Sequence, residues 1–147
     1  NLIKLTRNKL IFDKISKNES FSDRLVIFFI HFAFFLQQYK KNNSKDLLQD
    51  IYDFNFKQLE ISIRELGYGD MSINKKMKDY INLFHLIITK IENWENFENE
   101  QKSLFFTDLF DKPVETQYFV KYFEKYRIFL SNNTLNSFSK DIINFKI

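Results

Sequence analysis

Apolar residues along this chain recur at intervals of three and four, with no sustained alternation, which predicts helices throughout. A short first helix is predicted over Leu2 to Ile15, with Leu5, Ile11 and Ile15 facing inward. Ser22 or Ser20 can cap a second helix that runs to about Lys40 and carries the densest apolar run. Lys40, Lys41 and Lys45 bracket a polar turn, and Ser44 is placed to cap the third helix. That helix has the clearest stripe, Leu47, Ile51, Phe54, Leu59, Ile63 and Leu66. Gly67 follows where a left-handed residue would end it. Ser72 or Asp70 would cap a fourth helix with the face Ile73, Met77, Ile81, Phe84, Ile88 and Ile91. Glu92 to Gln101 reads as a loop or broken helix around Trp94 and Phe97. Asp111 with Pro113 at the first helical position opens a helix through Phe119, Tyr122, Phe123, Tyr126 and Leu130. Asn132 and Asn133 end it, and Thr134 caps a last helix through Phe138, Ile142 and Phe145. The expectation is one all-α domain, a compact bundle of about six helices.

The second helix holds the longest apolar run, Leu25 to Leu36, interrupted by His31. It is shorter than the ~18–20 residues that span a bilayer, so it reads as a buried helix. Because its apolar residues cover nearly the whole circumference, Phe28, Phe29, Phe32 and Phe35 should be mostly buried. Tyr118, Phe119, Tyr122, Phe123, Tyr126 and Phe129 form a band wider than one buried stripe. Core packing accounts for most of it, and an exposed edge would suit an apolar client or a second subunit. The 19 phenylalanines and the excess of Lys over Arg fit AT-rich coding, so a single Phe is not read as a ligand contact.

Composition narrows the chemistry. There is no cysteine, which removes disulfides, thiolate metal sites and cysteine nucleophiles, and fits a reducing compartment. The formal net charge is +3, and so small a basic excess does not make a DNA-binding protein. The chain begins at Asn1 rather than Met, so a processed or trimmed form is expected, with any targeting sequence upstream. His31 and His85 sit in apolar helical contexts without a carboxylate or second histidine at ligand spacing, and both read as structural. Asp13, Asp23, Asp46, Asp50 and Asp53 read as caps or solvated faces. Neither a phosphate loop, a nucleophile elbow nor a zinc motif is present, and Gly67-Tyr68-Gly69 follows a helix and lacks a third glycine. No enzyme activity, cofactor or metal is expected.

Both glycines of the 147-residue chain lie between Arg64 and Lys78. Glycine reaches positive φ without steric cost, so the backbone needs freedom there. Arg64 and Glu65 precede the turn, Asp70 lies in it, and Lys75, Lys76 and Lys78 follow. Two readings stay open. One is a tight helix–helix corner with Asp70 as a cap. The other is a presented corner where Arg64, Glu65, Gly67, Gly69, Asp70, Lys75, Lys76 and Lys78 meet a partner. Cations near a helix start oppose the macrodipole, which hints at a use such as an anionic lipid, RNA or an acidic partner.

This stretch resembles the signature of the ubiquinol–cytochrome c chaperone family, Arg-Glu-Leu-Gly-x-Gly-Asp followed by a basic cluster. Phe21-Ser22-Asp23-Arg24-Leu25-Val26 with His31 is similar to the family's Asp-x-x-Arg-Phe helix with its downstream histidine, with Leu25 where phenylalanine is more usual. Arg7-Asn8 is similar to its N-terminal Arg-Asn-Pro, with Lys9 in place of proline. The resemblance covers roughly Phe21 to Trp94, and the C-terminal third is similar only in helical character. It implies an assembly factor for cytochrome b of respiratory complex III, at the matrix side of the mitochondrial inner membrane or in an alphaproteobacterial cytoplasm. Implied partners are cytochrome b or another complex III component, a small helical co-chaperone, the ribosome, and a peripheral membrane contact. A helical groove would shelter apolar client segments while basic residues engage membrane or partner. The alternative is a structural or adaptor subunit of a larger membrane-bound assembly that keeps the fold.

Overall fold

The computed structural model describes residues 2–15, 20–141 and 145, and the side chains of all these except Leu5 and residues 139–141. Among the described residues there are eight α-helices and no strand. They are α1 (Leu2–Thr6), α2 (Lys9–Phe12), α3 (Phe21–Tyr39), α4 (Lys45–Glu65), α5 (Asp70–Glu92), α6 (Asn99–Leu109), α7 (Thr116–Ser131) and α8 (Leu135–Asp141), with a 3-10 turn at Trp94–Asn96.

Helix α3 is the centre of the bundle and packs on α1, α5 and α7. Its start is set by Ser20 rather than Ser22. The Ser20 hydroxyl accepts from the Asp23 N–H at 3.2 Å, and the Asp23 carboxylate accepts from the Ser20 N–H at 2.8 Å. Phe29, Phe32 and Phe35 are buried as expected, while Phe28 is only half-buried. Phe29 and Phe32 each lie 5.3 Å from the Phe84 ring of α5, and Phe34 stacks on Phe123 of α7 at 5.6 Å. Each fully buried Phe contributes about 1.5–3 kcal/mol of transfer free energy, so this shared aromatic layer holds the bundle together.

Several elements differ from their predicted form. Leu2 to Ile15 is two short helices, because Asn8 takes an extended conformation and caps α2 by accepting from the Leu10 N–H at 3.0 Å. Ile11 and Ile15 are buried. The inward stripe of α4 runs through Tyr52, Phe56, Leu59 and Ile63, steps of four, three and four, whereas Leu47, Phe54 and Leu66 are exposed. Phe54 to Leu59 is a step of five, which no single helical face keeps.

Helix α6 takes up part of the predicted loop, extends beyond it and adds an element. It opens at Glu98, whose N–H donates to Gln101 Oε1 at 2.8 Å, and it buries the adjacent pair Phe105 and Phe106 rather than a spaced stripe. Helix α7 opens at Thr116 instead of Pro113. The preceding residues are not helical: Val114 forms an isolated antiparallel bridge with Ile15, and the Glu115 N–H donates to the Lys14 carbonyl at 3.0 Å. Thr134 caps α8 as predicted, accepting from the Ser137 N–H at 3.2 Å, and Phe138 is buried. Ile142 lies outside the described residues.

Candidate functional site

The corner between α4 and α5 is built by its two glycines in different ways. Gly67 has φ +91°, the left-handed conformation, and its N–H donates to the Arg64 carbonyl at 3.0 Å. Gly69 is extended at φ −74° and is itself the N-cap of α5. Neither Asp70 nor Ser72 caps that helix. Asp70 is its first residue, and its carboxylate instead accepts from Arg64 Nη1 at 2.6 Å. Arg64 Nη2 donates to Glu60 at 3.1 Å, so one guanidinium bridges two carboxylates across the turn. Asp70 is 82% exposed, so this pairing adds little to stability.

What the corner offers outward differs from the sequence reading. Arg64 and Asp70 neutralise each other, leaving Glu65, Lys75 and Lys78 exposed, with Lys76 drawn back to 4.5 Å above the Tyr68 ring. Lys75, Lys76 and Lys78 lie beyond the first turn of α5, since that helix begins at Asp70, and there the macrodipole has largely faded. Between the charges stands an exposed apolar tip, Leu66, Tyr68 and Met71, the last 89% exposed. Leu66, which periodicity assigns to the core stripe, is exposed here. The available signal was apolar side chains inside a glycine turn, where helical periodicity no longer applies.

The histidines separate. His31 is fully buried, and its Nδ1–H donates to the Ile27 carbonyl at 2.7 Å. Burial holds its pKa down at about 4 against the opposing effect of that hydrogen bond. His85 is exposed rather than packed inward, 3.2 Å from the Tyr52 hydroxyl. The corner carboxylates and the remaining acids do not gather: among the described residues no three His, Asp or Glu side chains group as metal ligands. Asp23, expected as a cap or solvated residue, is a cap that is also buried. Burial alone raises its pKa, but hydrogen bonds from Lys112, at 2.7 Å, and from Ser20 outweigh that and hold it below the usual carboxylate value. Glu124 similarly overcomes burial by accepting from Lys102 at 2.6 Å and Trp94 at 2.8 Å. The aromatic band of α7 is mostly core, with Tyr118 and Phe129 half-buried at its margins. No described helix is long and apolar enough to cross a membrane.

These features define an all-α domain with a buried histidine at its centre and a charged, apolar-tipped corner. The family model described as ubiquinol-cytochrome C chaperone matches residues 13–100, more than half of the chain, and the protein belongs to that family. The matched stretch holds α3 through α5, His31 and the whole corner, whereas Arg7-Asn8 and helices α7 and α8 fall outside it. Nothing matches among the curated proteins or the solved structures.

Proposed function

We propose that this chain is a non-enzymatic assembly chaperone that binds cytochrome b, or an early intermediate containing it, during biogenesis of respiratory complex III. The observation that carries the reading is the family match across both α3 and the corner. The geometry adds how such a surface would work. Left-handed Gly67 sets the turn between α4 and α5, so the tip residues and Lys75 and Lys78 stand at one corner before a partner arrives. The tip suits an apolar segment of the client and the lysines an acidic one. Because Phe29, Phe32, Phe34 and Phe35 of α3 are buried, client contact is assigned to the corner and not to that aromatic face. The proposal places the protein on the matrix side of the inner membrane, or in a bacterial cytoplasm at the membrane, with a small helical co-chaperone and the ribosome as accompanying partners.

Affinity capture of the tagged protein from solubilised membranes tests this. Enrichment of cytochrome b with early intermediates, absent from the finished complex, is the expected result. Stoichiometric recovery in the mature complex would make the chain a structural subunit, and recovery of neither would remove the reading.

A further inference from the structure

A second surface has a built cavity. A groove of about 600 Å³ opens between the N-terminal helices, the first turns of α3 and the middle of α4. That size falls within the ~300–1,000 Å³ of small-molecule sites. Its deep wall is apolar, with Phe12 and Leu25 buried and Phe21, Phe28 and Leu59 half-buried against it. Among the described residues its charged lining is all of one sign: Arg7, Lys9 and Arg24 are exposed there, no carboxylate lines it, and none of the three forms an ion pair.

We propose that this groove holds one anionic phospholipid, its phosphate on Arg7, Lys9 and Arg24 and an acyl chain along Phe12, Phe28 and Leu59. Hydrocarbon beside unpaired cations matches an amphiphile with an anionic head. A peptide fits less well, because its backbone N–H and C=O groups would need partners. Three of the four neutral polar side chains of the lining are already turned to their own helices: Thr6 donates to the Ile3 carbonyl, Asn55 to that of Ile51 and Ser62 to that of Gln58, which leaves the Gln58 amide. The two N-terminal helices leave Ile3 and Leu10 exposed at 46% and 59%, with Lys4 exposed next to Ile3, apolar and basic side chains of the kind that settle on a bilayer. The site shares no residue with the corner. It goes beyond the proposed client binding and is tested without any client.

Purified protein is floated with vesicles of phosphatidylcholine alone or doped with phosphatidylglycerol. Binding should appear only with the doped vesicles and fall roughly thirtyfold in Arg7→Gln/Arg24→Gln, from the loss of two cations near an anionic surface. Ser62→Trp keeps every charge but fills the groove at an exposed position, and should also lose binding while melting as the parent does. Full binding by Ser62→Trp would mean that charge on the surface, not the groove, holds the lipid, and overturns the proposal. Equal flotation with undoped vesicles overturns it as well. Excess inorganic phosphate at constant ionic strength should leave flotation intact. If it releases the protein, the cations form a free-phosphate site and the lipid assignment falls.

Discussion

His31 and Tyr122, 91 residues apart in the chain, meet at 2.7 Å between the imidazole Nε2 and the phenol oxygen. The contact has a fixed sense. Nδ1 faces a carbonyl, which can only accept, so Nδ1 carries the proton and bare Nε2 accepts from the Tyr122 hydroxyl. The rings of Phe123 and Tyr126 close on the imidazole at 4.8 Å each, and the Tyr126 hydroxyl donates to the His31 carbonyl at 3.3 Å. A polar pair in an aromatic core is stable only while each member satisfies the other, so it orients α7 on α3.

That pair makes stability depend on pH. The imidazole has a pKa of about 4 when folded against 6.5 in an exposed chain, so the unfolded state binds the proton first. The contribution is complete above pH 6.5 and is lost as pH falls toward 4. Lowering the pH from 6.5 to about 5 should cost about 1.5 kcal/mol, before Asp23 and Glu124, whose pKa values are already held low, begin to matter. Urea unfolding at a series of pH values measures the slope, and His31→Gln should flatten it. An equal slope in that variant would assign the effect elsewhere.

The two corner glycines should respond differently to substitution. A Cβ added at either has no atom within 4 Å beyond its chain neighbours, so the cost to expect is one of backbone conformation. Gly67→Val forces a β-branched residue to φ +91° and should lose ~1–2 kcal/mol or more. Gly69→Ser keeps ordinary dihedrals and supplies a side-chain cap, so it should be neutral or gain a few tenths of a kcal/mol. Thermal melts of the two variants decide it, and an unchanged melt for Gly67→Val would refute the strained corner.

What the sequence made readable follows the range of each interaction. Ser20, Ser44 and Thr134 as caps, and Gly67 as a left-handed terminator, depend on neighbours within three or four residues, and all four are present in the structure. Asp70 was misread because its strongest partner, Arg64, lies across the turn. Pro113 was misread because the backbone beside it pairs with Ile15, about a hundred residues earlier. The groove needs three separate segments brought together, so Arg7 and Arg24 could be noted only as parts of motifs. The tip formed by Leu66, Tyr68 and Met71 was hidden because apolar residues are assumed to face inward.

The corner lysines separate docking from folding. Replacing Lys75, Lys76 and Lys78 with Gln should leave stability nearly unchanged, since they lie beyond the turn where the macrodipole acts. A loss of ~0.5–1 kcal/mol is traceable to Lys76, whose ammonium leaves the Tyr68 ring. Association with the captured partner should weaken at low ionic strength, with the difference fading as salt rises. Measured binding that does not change at low salt would reduce these lysines to a solvated face.

The phenylalanines of α3 should rank by their surroundings, although all four share one helix. Phe29 and Phe32 are 1% and 0% exposed and touch the Phe84 ring, so truncating either to Ala leaves a cavity that the close-packed aromatic layer cannot collapse into. Each should cost ~3–5 kcal/mol, enough to unfold a marginal domain. Phe35, at 5% exposure and against Tyr39 and Phe138, should fall in the same range. Phe28 is half-buried and borders the groove, so Ala there mostly widens space already open and should cost less than half as much. Urea unfolding of the four variants gives the order. If Phe28→Ala costs as much as Phe32→Ala, its ring is enclosed in solution and the groove is not open where the lipid chain would lie. If Phe29→Ala costs under about 1 kcal/mol, α3 is not the central helix, and its aromatic face rather than the Gly67 corner becomes the surface for an apolar client.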